Sequence, residues 1–487
     1  MLFSSEIFLC IFLPISLAAF YIIKKTQYKI ELLIISLLSL FFYAWNDPKW
    51  LLLLLSSIIL NYIFGQVIFR EKRKFFLEVG ICLNLFIIGW FKYKYFFLGW
   101  AFPEENKINY LIPLAISFFT FQQISYLIDI KDKIVKPLKF LDHVFYVSFF
   151  PQLIAGPIVL AKNIIPQIVQ IKNKIFSLNL FILGTVVFFI GLFKKVYLAD
   201  NLAPFVDLGF SLIDNGLTFP EAWAIVSAFA LQLYFDFSGY SEMAVGLGLL
   251  FGFRLPVNFN VPFKSVSMIE FWKKWHISVT NFFMLYVYSP LSLYLNRLKI
   301  GKFSQNYLLM LIIPTLFTFF LSGLWHGADW KFVYFGLING IALIINHFWK
   351  IFKLPKLPKL FSWFLTIIVV LISFVFFRAN DIDEALKLLF IMFNPSLLFL
   401  PDWFSNYFNI AIGINFSVLP FFLTGTFSLK FLVIFLFCAY LSVAIPNVAD
   451  KNFKLAFSWK NSFYLAVVIL FSLSGINEEV SFIYFQF

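Results

Sequence analysis

The sequence predicts an all-α polytopic membrane protein with about 11 transmembrane helices, supplemented by re-entrant and interfacial helices. Hydrophobic residues make up 61% of the chain and charged residues only 13%, whereas soluble domains carry roughly 25% charged residues. Apolar runs of about 18 residues or more, long enough to cross a bilayer, recur from end to end. The short alternating segments that a membrane β-barrel would require do not occur.

The first part of the chain, residues 1–130, consists of apolar runs separated by short loops. We expect spans at 6–23, 31–46, 50–69, 76–98 and 109–130. The loops at 24–29, 70–74 and 131–139 are basic, whereas those at 46–48 and 103–106 are acidic or neutral. Because Lys and Arg concentrate in cytoplasmic loops, five spans with an external N-terminus place every basic loop inside the cell. Positive charges follow the first apolar run, which favours a retained helix over a cleavable signal.

The middle of the chain begins with an interrupted apolar run at 143–160. Pro151, Gly156 and Pro157 break this run. Irregular backbone at membrane depth is tolerated where it is buried in protein or lines a wet cavity. We therefore expect a bent or re-entrant wall with a structural role.

The following segments alternate between spans and connections. We expect a span at 176–199, an external segment at 200–220 and a returning helix at 221–252. Gly248 and Gly252, near the end of that helix, suit close helix packing. Residues 254–304 alternate basic and aromatic side chains, which indicates interfacial or re-entrant structure on the cytoplasmic side.

The remaining spans are predicted at 306–323, 331–349, 361–377, 408–424, 430–446 and 461–475. No linker of domain-separating length and no internal repeat interrupts the chain. Residues 1–487 are therefore expected to form one integral-membrane domain. Its predicted parts are N-terminal spans at 1–130, a core at about 140–350 and C-terminal spans at 360–487.

The net charge of +13 does not indicate nucleic-acid binding, because the basic residues cluster in loops between apolar runs. Cys10, Cys82 and Cys438 lie far apart in apolar runs, which favours buried structural thiols. Their spacing provides no metal-binding pattern, and we expect no metal. Walker, Gly-x-Ser-x-Gly and Rossmann signatures do not occur, so serine hydrolysis and ATP-driven transport have no support.

Two of the four histidines directly follow a tryptophan, in Trp275-His276 and Trp325-His326. His326 lies in the gap between two predicted spans and has glycines on both sides. A titratable group at membrane depth is expensive, so it indicates function by default. A near-neutral imidazole can take a proton from an attacking hydroxyl and return it to a leaving group. The alternative is a buried histidine bonded to a backbone carbonyl at a helix break.

His276 is the second candidate, with Lys273 and Lys274 beside it. In a continuous helix, Trp272 and His276 would share a face at i, i+4. This imidazole could position substrate, transfer protons or pair with a phosphate of a lipid or coenzyme. An interfacial belt of Trp, His and Lys is the alternative. His143 and His347 are interpreted as ordinary interfacial residues.

A dense polar stretch at 234–242 interrupts an otherwise apolar helix. Its candidate substrate- or channel-lining residues are Tyr234, Asp236, Ser238 and Glu242. Two carboxylates at this depth need partners. The polar side chains cover more than one helix face, so the helix is expected to be buried on several sides or to border a wet cavity. A structural hydrogen-bond network is the alternative.

The chain resembles membrane-bound O-acyltransferases (MBOAT) of the bacterial alginate and peptidoglycan O-acetyltransferase type over nearly its whole length. The matching blocks follow one another in family order. They are Met1-Leu2-Phe3-Ser4-Ser5, Phe42-Tyr43-Ala44-Trp45, Phe150-Pro151-Gln152-Leu153-Ile154-Ala155-Gly156-Pro157, Tyr234-Phe235-Asp236-Phe237-Ser238-Gly239-Tyr240-Ser241, Glu270-Phe271-Trp272-Lys273-Lys274-Trp275-His276-Ile277-Ser278, Gly323-Leu324-Trp325-His326-Gly327, Phe376-Phe377-Arg378-Ala379 and Phe485-Gln486-Phe487.

The resemblance implies a ring of helices around a thin, funnelled centre in the bacterial inner membrane. It implies that His326 is the family's membrane-embedded histidine and His276 its second functional histidine, with Trp325 and Trp275 lining the substrate path. No cofactor is expected to be bound. The implied acyl donor is cytoplasmic acetyl-CoA, and the implied partner is a periplasmic SGNH-type esterase or transferase that acetylates a polysaccharide or peptidoglycan.

One departure from the family pattern concerns the acceptor and the partner surface. Relatives of the alginate type carry an Arg-Asp pair before a Tyr-x-Tyr motif, where this chain has Met284-Leu285 before Tyr286-Val287-Tyr288. D-alanyl transfer to teichoic acid from a carrier protein is the alternative within the family. A polytopic transporter without chemistry of its own is the alternative from another class.

Overall fold

The computed structural model describes residues 1–23, 28–45, 47–99, 112–171, 177–214, 217–298, 303–395, 429–445, 458–476 and 482–483. In these stretches the regular elements are helices, and no strand occurs among them. The α-helices are α1 (Leu13–Ile23), α2 (Tyr28–Ala44), α3 (Lys49–Glu71), α4 (Lys74–Ile88), α5 (Lys94–Leu98), α6 (Ile116–Lys131), α7 (Phe140–Ser148), α8 (Phe150–Leu153), α9 (Ala161–Ile171), α10 (Leu178–Phe193), α11 (Asp200–Ser211), α12 (Phe219–Leu250), α13 (Met268–Trp272), α14 (Ile277–Phe283), α15 (Ser289–Arg297), α16 (Phe303–His326), α17 (Trp330–Ile351), α18 (Lys359–Arg378), α19 (Ile382–Phe393), α20 (Leu429–Ala444) and α21 (Trp459–Ser474). Short π-helical segments occur at Phe8–Phe12, Gly89–Tyr93, Lys194–Ala199 and Met284–Tyr288.

The described helices confirm an all-helical, multi-pass membrane protein. Six helical runs among them are long and apolar enough to span a bilayer: Lys49–Glu71, Lys74–Leu98, Leu178–Ser211, Leu309–His326, Trp330–Ile351 and Lys359–Arg378. Shorter apolar helices are Phe8–Ile23, Lys430–Ala444 and Ser462–Ser474. The predicted span at 408–424, the loop at 103–106 and the terminal block Phe485-Gln486-Phe487 lie outside the described residues. The total of about 11 spans stays a prediction.

Helix α12 is buried along most of its length and packs backbone to backbone against α10. A Cβ added at Gly191 would lie 2.5 Å from the carbonyl oxygen of Gly239, and one at Gly246 would lie 2.6 Å from the nitrogen of Phe188. Glycine is therefore required where these two helices cross. The expectation that Gly248 and Gly252 support close helix packing was wrong: the nearest neighbours of Gly248 are Leu255 and Phe253, which follow the helix, and Gly252 lies beyond the helix end with φ +80° and open space around it.

The interrupted run at 143–160 is the buried wall that its Pro and Gly residues predict. Helix α7 ends at Ser148, and α8 adds one further short turn before extended backbone. A Cβ at Gly156 would lie 2.6 Å from the carbonyl oxygen of Pro151, so the turn needs glycine. Side chains accept hydrogen bonds from backbone N–H groups in this interrupted stretch: the N–H of Phe150 donates to Ser39 Oγ and that of Ile158 donates to Ser278 Oγ.

One of two expectations for the surface, the burial of all three cysteines, was wrong. The other, an external segment at 200–220, stays a prediction: residues 200–211 are helical and continue the run that begins at Leu178, and an apolar face that includes Leu202 and Val206 packs into the core. Cys10 and Cys82 are exposed, and only Cys438 is buried. Apolar helix faces in a membrane contact lipid as well as protein, so an apolar sequence context does not predict burial of a thiol.

Candidate active site

His326 is the last residue of α16, and two glycines near it allow this helix end to pack closely against the start of α17. A Cβ at Gly323 would lie 2.2 Å from the carbonyl oxygen of Phe332, and one at Gly327 would lie 2.1 Å from the ring of that phenylalanine. Only glycine permits this approach of α16 to the first turn of α17. The imidazole of His326 is buried against the ring of Phe377, with 5.0 Å between centroids.

His276 lies between α13 and α14 and has a left-handed backbone, with φ +44°. Non-glycine residues adopt this conformation rarely and at some cost, and functional sites hold such strained residues disproportionately often. Asn258 holds the segment, because its carbonyl oxygen accepts the N–H of Ile277 at 2.8 Å and its Oδ1 accepts that of Ser278 at 3.2 Å. The continuous helix that would place Trp272 and His276 on one face was therefore wrong, since α13 ends at Trp272.

The two histidines pack against one indole ring, that of Trp325. The centroid of the Trp325 ring lies 5.5 Å from that of His276 and 4.6 Å from that of His326. Both imidazoles line a cavity of about 50 Å³ together with Trp272, Trp275 and Ser322. The burial of His276 fits the re-entrant interpretation of this region and not an interfacial belt.

The ring nitrogens of His276 differ from most buried polar atoms of the protein. Within the described part of the chain, neither Nδ1 nor Nε2 has a hydrogen-bond partner. Buried polar atoms are usually paired, and an exception calls for an explanation. A substrate or water that enters the cavity could supply the missing partner.

A second cavity, of about 90 Å³, borders His326 on another side. Its lining includes Lys92, residues 112–118, Ile154 and Trp325. Lys92 lies far along the helical run that begins at Lys74, and residues 112–118 lead into α6, which ends at Lys131. This cavity is therefore near the helix ends that are distant from the basic loops 70–74 and 131–139. His326 lines both cavities, and Trp325 lines the second one.

The lysines that precede Trp275 face outward. Lys273 is exposed, and the Lys274 ammonium donates to a Glu270 carboxylate oxygen at 2.7 Å. Partial burial opposes ionisation of Glu270, but hydrogen bonds from Lys274 and the N–H of Val266 outweigh it and keep the pKa of this carboxyl below its usual value. The indole of Trp275 packs against the ring of Phe259, with 5.1 Å between the ring centroids.

The carboxylates of the polar stretch in α12 form ion pairs with adjacent lysines. Glu242 accepts from the Lys194 ammonium at 2.6 Å. Lys195 lies 2.8 Å from Asp236 and 2.6 Å from Asp200. Both lysines belong to the π-helical segment Lys194–Ala199, and sequence reasoning missed them. Two cations inside an apolar run were the available signal, because charges at this depth need partners.

The other candidates of this stretch lie beside the histidine segment. The Tyr234 ring packs on the indole of Trp275, with 6.3 Å between the ring centroids. Ser238 and Glu242 border a small void that Asn258 also lines. A second carboxylate oxygen of Asp236 accepts the N–H of Ile483 at 2.9 Å. Both carboxylates of the stretch are thus ion-paired, and their role as lining residues stays a prediction, while Tyr234 contributes to the aromatic wall beside the histidine segment.

The prediction for His143 was wrong, because this histidine is fully buried and not interfacial. Its Nε2 lies 3.3 Å from Gln123 Oε1, and its ring packs on Tyr126. The imidazole lies on the face of α7 that packs against the rest of the protein. His347 is half-buried on α17.

The segment that departs from the family pattern forms the π-helical turn Met284–Tyr288. Met284 and Leu285, which replace the charged pair, are both exposed. Tyr286 turns inward, and its hydroxyl donates to Asp129 at 2.8 Å. The Tyr-x-Tyr motif thus ties this turn to α6 even though the charged pair is missing.

Comparison with known proteins identifies the family. Residues 81–382 match the model of the membrane-bound O-acyltransferase family. The chain is 36% identical to the peptidoglycan O-acetyltransferase of Helicobacter pylori, with 80% of this chain and 79% of that protein covered. It is 32% identical to the probable alginate O-acetylase of Pseudomonas putida, with 100% of both chains covered. Similarity to the teichoic acid D-alanyltransferase of Streptococcus thermophilus is lower, at 28% over 50% of this chain and 58% of that protein.

These matches favour an enzyme over a transporter without its own chemistry. They agree with the sequence blocks that surround both histidines. The chain belongs to the membrane-bound O-acyltransferase family and is an O-acyltransferase.

Proposed function

We propose that this O-acyltransferase moves acetyl groups from acetyl-CoA towards hydroxyls of a cell-envelope polysaccharide, with peptidoglycan as the first acceptor to test. The observation that carries the proposal is the position of His326 at the boundary of two cavities, with His276 across the ring of Trp325. The names of the Helicobacter and Pseudomonas relatives support acetyl as the transferred group.

The proposed location is the bacterial inner membrane, with the N-terminus outside. In this orientation the basic loops 70–74 and 131–139 lie in the cytoplasm. The cavity beside Lys92 then faces outward, since it lies near the opposite ends of the helices that those loops join. Acetyl-CoA approaches from the cytoplasmic side, where Lys273 and Lys274 offer cations to its phosphates.

The chemical step is a transfer of acetyl from sulfur to oxygen. A ring nitrogen of His326 takes the proton from the acceptor hydroxyl while that oxygen attacks the thioester carbonyl. A C–O bond forms, the C–S bond breaks, and the proton returns from the imidazolium to the departing CoA thiolate. The acceptor hydroxyl belongs to the glycan or to a serine of a partner. His276 orients the thioester, and the aromatic walls exclude water.

A periplasmic SGNH-type esterase or transferase is the proposed partner. Proteins that share these sequence blocks work with such a partner, which supports the proposal. Its contact surface would lie at the outward cavity, where acetyl leaves His326.

The test supplies radiolabelled acetyl-CoA to proteoliposomes that contain the full chain, peptidoglycan fragments and the candidate SGNH protein. We expect alkali-labile label on the fragments, and a fall of about 10²–10⁴-fold for His326→Ala, because the general base is lost. His347→Ala is the matched control and should retain transfer. Full transfer by a folded His326→Ala protein would overturn the proposal.

D-alanyl transfer remains the second candidate, supported by the similarity to teichoic acid D-alanyltransferases. It requires a carrier-protein thioester instead of acetyl-CoA. The same proteoliposomes, supplied with D-alanyl carrier protein, distinguish the two donors: label from D-alanine and none from acetyl would replace the acetyl proposal.

A further inference from the structure

The C-terminal end of α16, which carries His326, is held by two consecutive side chains from another helix. The Lys92 ammonium donates to the carbonyl oxygens of Trp325 and His326, the latter at 3.2 Å. The Tyr93 hydroxyl donates to the carbonyl oxygen of Leu324 at 2.7 Å. Three successive carbonyls at the end of the histidine helix therefore receive donors from outside that helix.

Helix geometry explains why these donors matter here. The last four carbonyls of an α-helix have no partner within the helix. Water cannot readily supply one at membrane depth, where an unpaired carbonyl is costly. A cation at this end also interacts favourably with the helix dipole. Lys92 and Tyr93 therefore take over the role that a following helical turn would have.

The donors come from an irregular element. Both residues belong to the π-helical segment Gly89–Tyr93 between α4 and α5. Single π turns are frequent at functional sites, because they change the direction in which side chains point. A lysine inside the apolar run Lys74–Leu98 is expensive for insertion. Retention of this cation calls for a role that an apolar side chain could not fill.

We propose that Lys92, assisted by Tyr93, is a positioning residue that holds the backbone of His326 and thereby sets the place of its imidazole at the boundary of the two cavities. The inference rests on the proposed function in one respect, that His326 acts as the base. Lys92 also lines the outward cavity, so the holding group and the imidazole border the same space.

The experiment compares Lys92→Met, Lys92→Arg and Tyr93→Phe in the proteoliposome assay. Methionine is more favourable than lysine in an apolar span, so failure to insert is not the expected result of the first variant. The matched control is Lys131→Met, which removes a lysine whose ammonium donates to the carbonyl oxygen of Lys72 at the end of α3. That helix end carries no histidine.

We expect Lys92→Met to lower kcat by about 10–100-fold, because a misplaced catalytic group costs this much. The KM for acetyl-CoA should stay within about twofold of wild type, because Lys92 positions the base and does not contribute to binding of the donor. Lys92→Arg should restore part of kcat, Tyr93→Phe should have a smaller effect, and Lys131→Met should have none. The double variant Lys92→Met/Tyr93→Phe should be non-additive, because both donors act on one helix end.

A second readout does not depend on the acyl donor. Carbethoxylation of His326 by diethyl pyrocarbonate, followed by peptide mass spectrometry, should become several-fold faster in Lys92→Met than in wild type or Lys131→Met. Absence of transfer by wild-type protein, with this difference intact, would overturn the proposed function and leave the positioning role standing. Wild-type kcat and an unchanged modification rate in Lys92→Met, or an equal loss in Lys131→Met, would overturn the positioning role.

Discussion

His276 and Trp325 pack ring against ring, with 5.5 Å between their centroids, although they come from different Trp-His pairs. The indole also contacts His326 and lines the cavity beside Lys92. One aromatic side chain thus packs against both imidazoles and forms part of the wall of the cavity beside Lys92. Its removal would open space beside both imidazoles.

Trp325→Leu should therefore uncouple thioester cleavage from acyl transfer. Water would reach the thioester through the space that the indole leaves beside both imidazoles, so CoA release without acetylated product should rise relative to transfer. Measuring free CoA and alkali-labile acetyl in the same reaction gives the ratio. Trp330→Leu, at an exposed tryptophan on the next helix, is the control. An unchanged ratio in Trp325→Leu would argue against a sealing role.

The left-handed backbone at His276 predicts an unusual order of stabilities. His276→Gly and His276→Ala should both lose most transfer, because the imidazole is gone. The glycine variant should be the more stable of the two by about 1 kcal/mol, since glycine adopts φ +44° without strain and alanine does not. Thermal unfolding in detergent measures the difference, and a more stable alanine variant would contradict the assigned conformation.

The buried pair Lys194–Glu242 should respond strongly to the loss of one partner. Glu242→Gln leaves an uncompensated ammonium in the core and should cost about 3–5 kcal/mol of unfolding free energy. The double change Lys194→Met/Glu242→Leu should recover most of that loss. The exposed pair Lys74–Glu78 is the control, and its removal should cost less than about 1 kcal/mol. Equal costs for the two single changes would indicate that the buried pair is hydrated.

The contact between α10 and α12 should not tolerate even a methyl side chain at Gly191. Gly191→Ala would place a methyl group 2.5 Å from a backbone oxygen, so the helices would have to separate. We expect a large fall in the yield of folded protein and in thermal stability. Gly89→Ala provides the comparison, because open space surrounds that glycine. Its stability should match or exceed wild type. A stable Gly191→Ala protein would show that the two helices can move apart.

The helical membrane fold and the choice of His326 as a candidate could be predicted from residues that are neighbours in sequence. Long apolar runs, basic loops and a histidine between glycines are patterns of neighbouring residues. Helices and membrane spans form for equally local reasons, so these patterns predict them. The interrupted run at 143–160 was predictable for the same reason, because Pro and Gly act at their own positions.

The remaining features depend on partners that are distant in sequence. Nothing near Lys92 indicates that its ammonium reaches the carbonyls beside His326. The facing of Gly191 and Gly239 is visible only once two helices have been brought together. His143 and the two exposed cysteines were misjudged because hydropathy does not tell which apolar face meets lipid and which meets protein.

The ion pairs between α12 and the π-helical segment also have a consequence for biogenesis. The run Leu178–Ser211 carries Lys194 and Lys195 near its middle, and each would be costly in lipid by about 2.5–3.5 kcal/mol. Their partners Asp236 and Glu242 arrive with the very next long helix to leave the ribosome. Lys195 also pairs with Asp200 of its own run, so entry of the two helices as a single hairpin would chiefly spare Lys194 a stage in the bilayer without its partner Glu242.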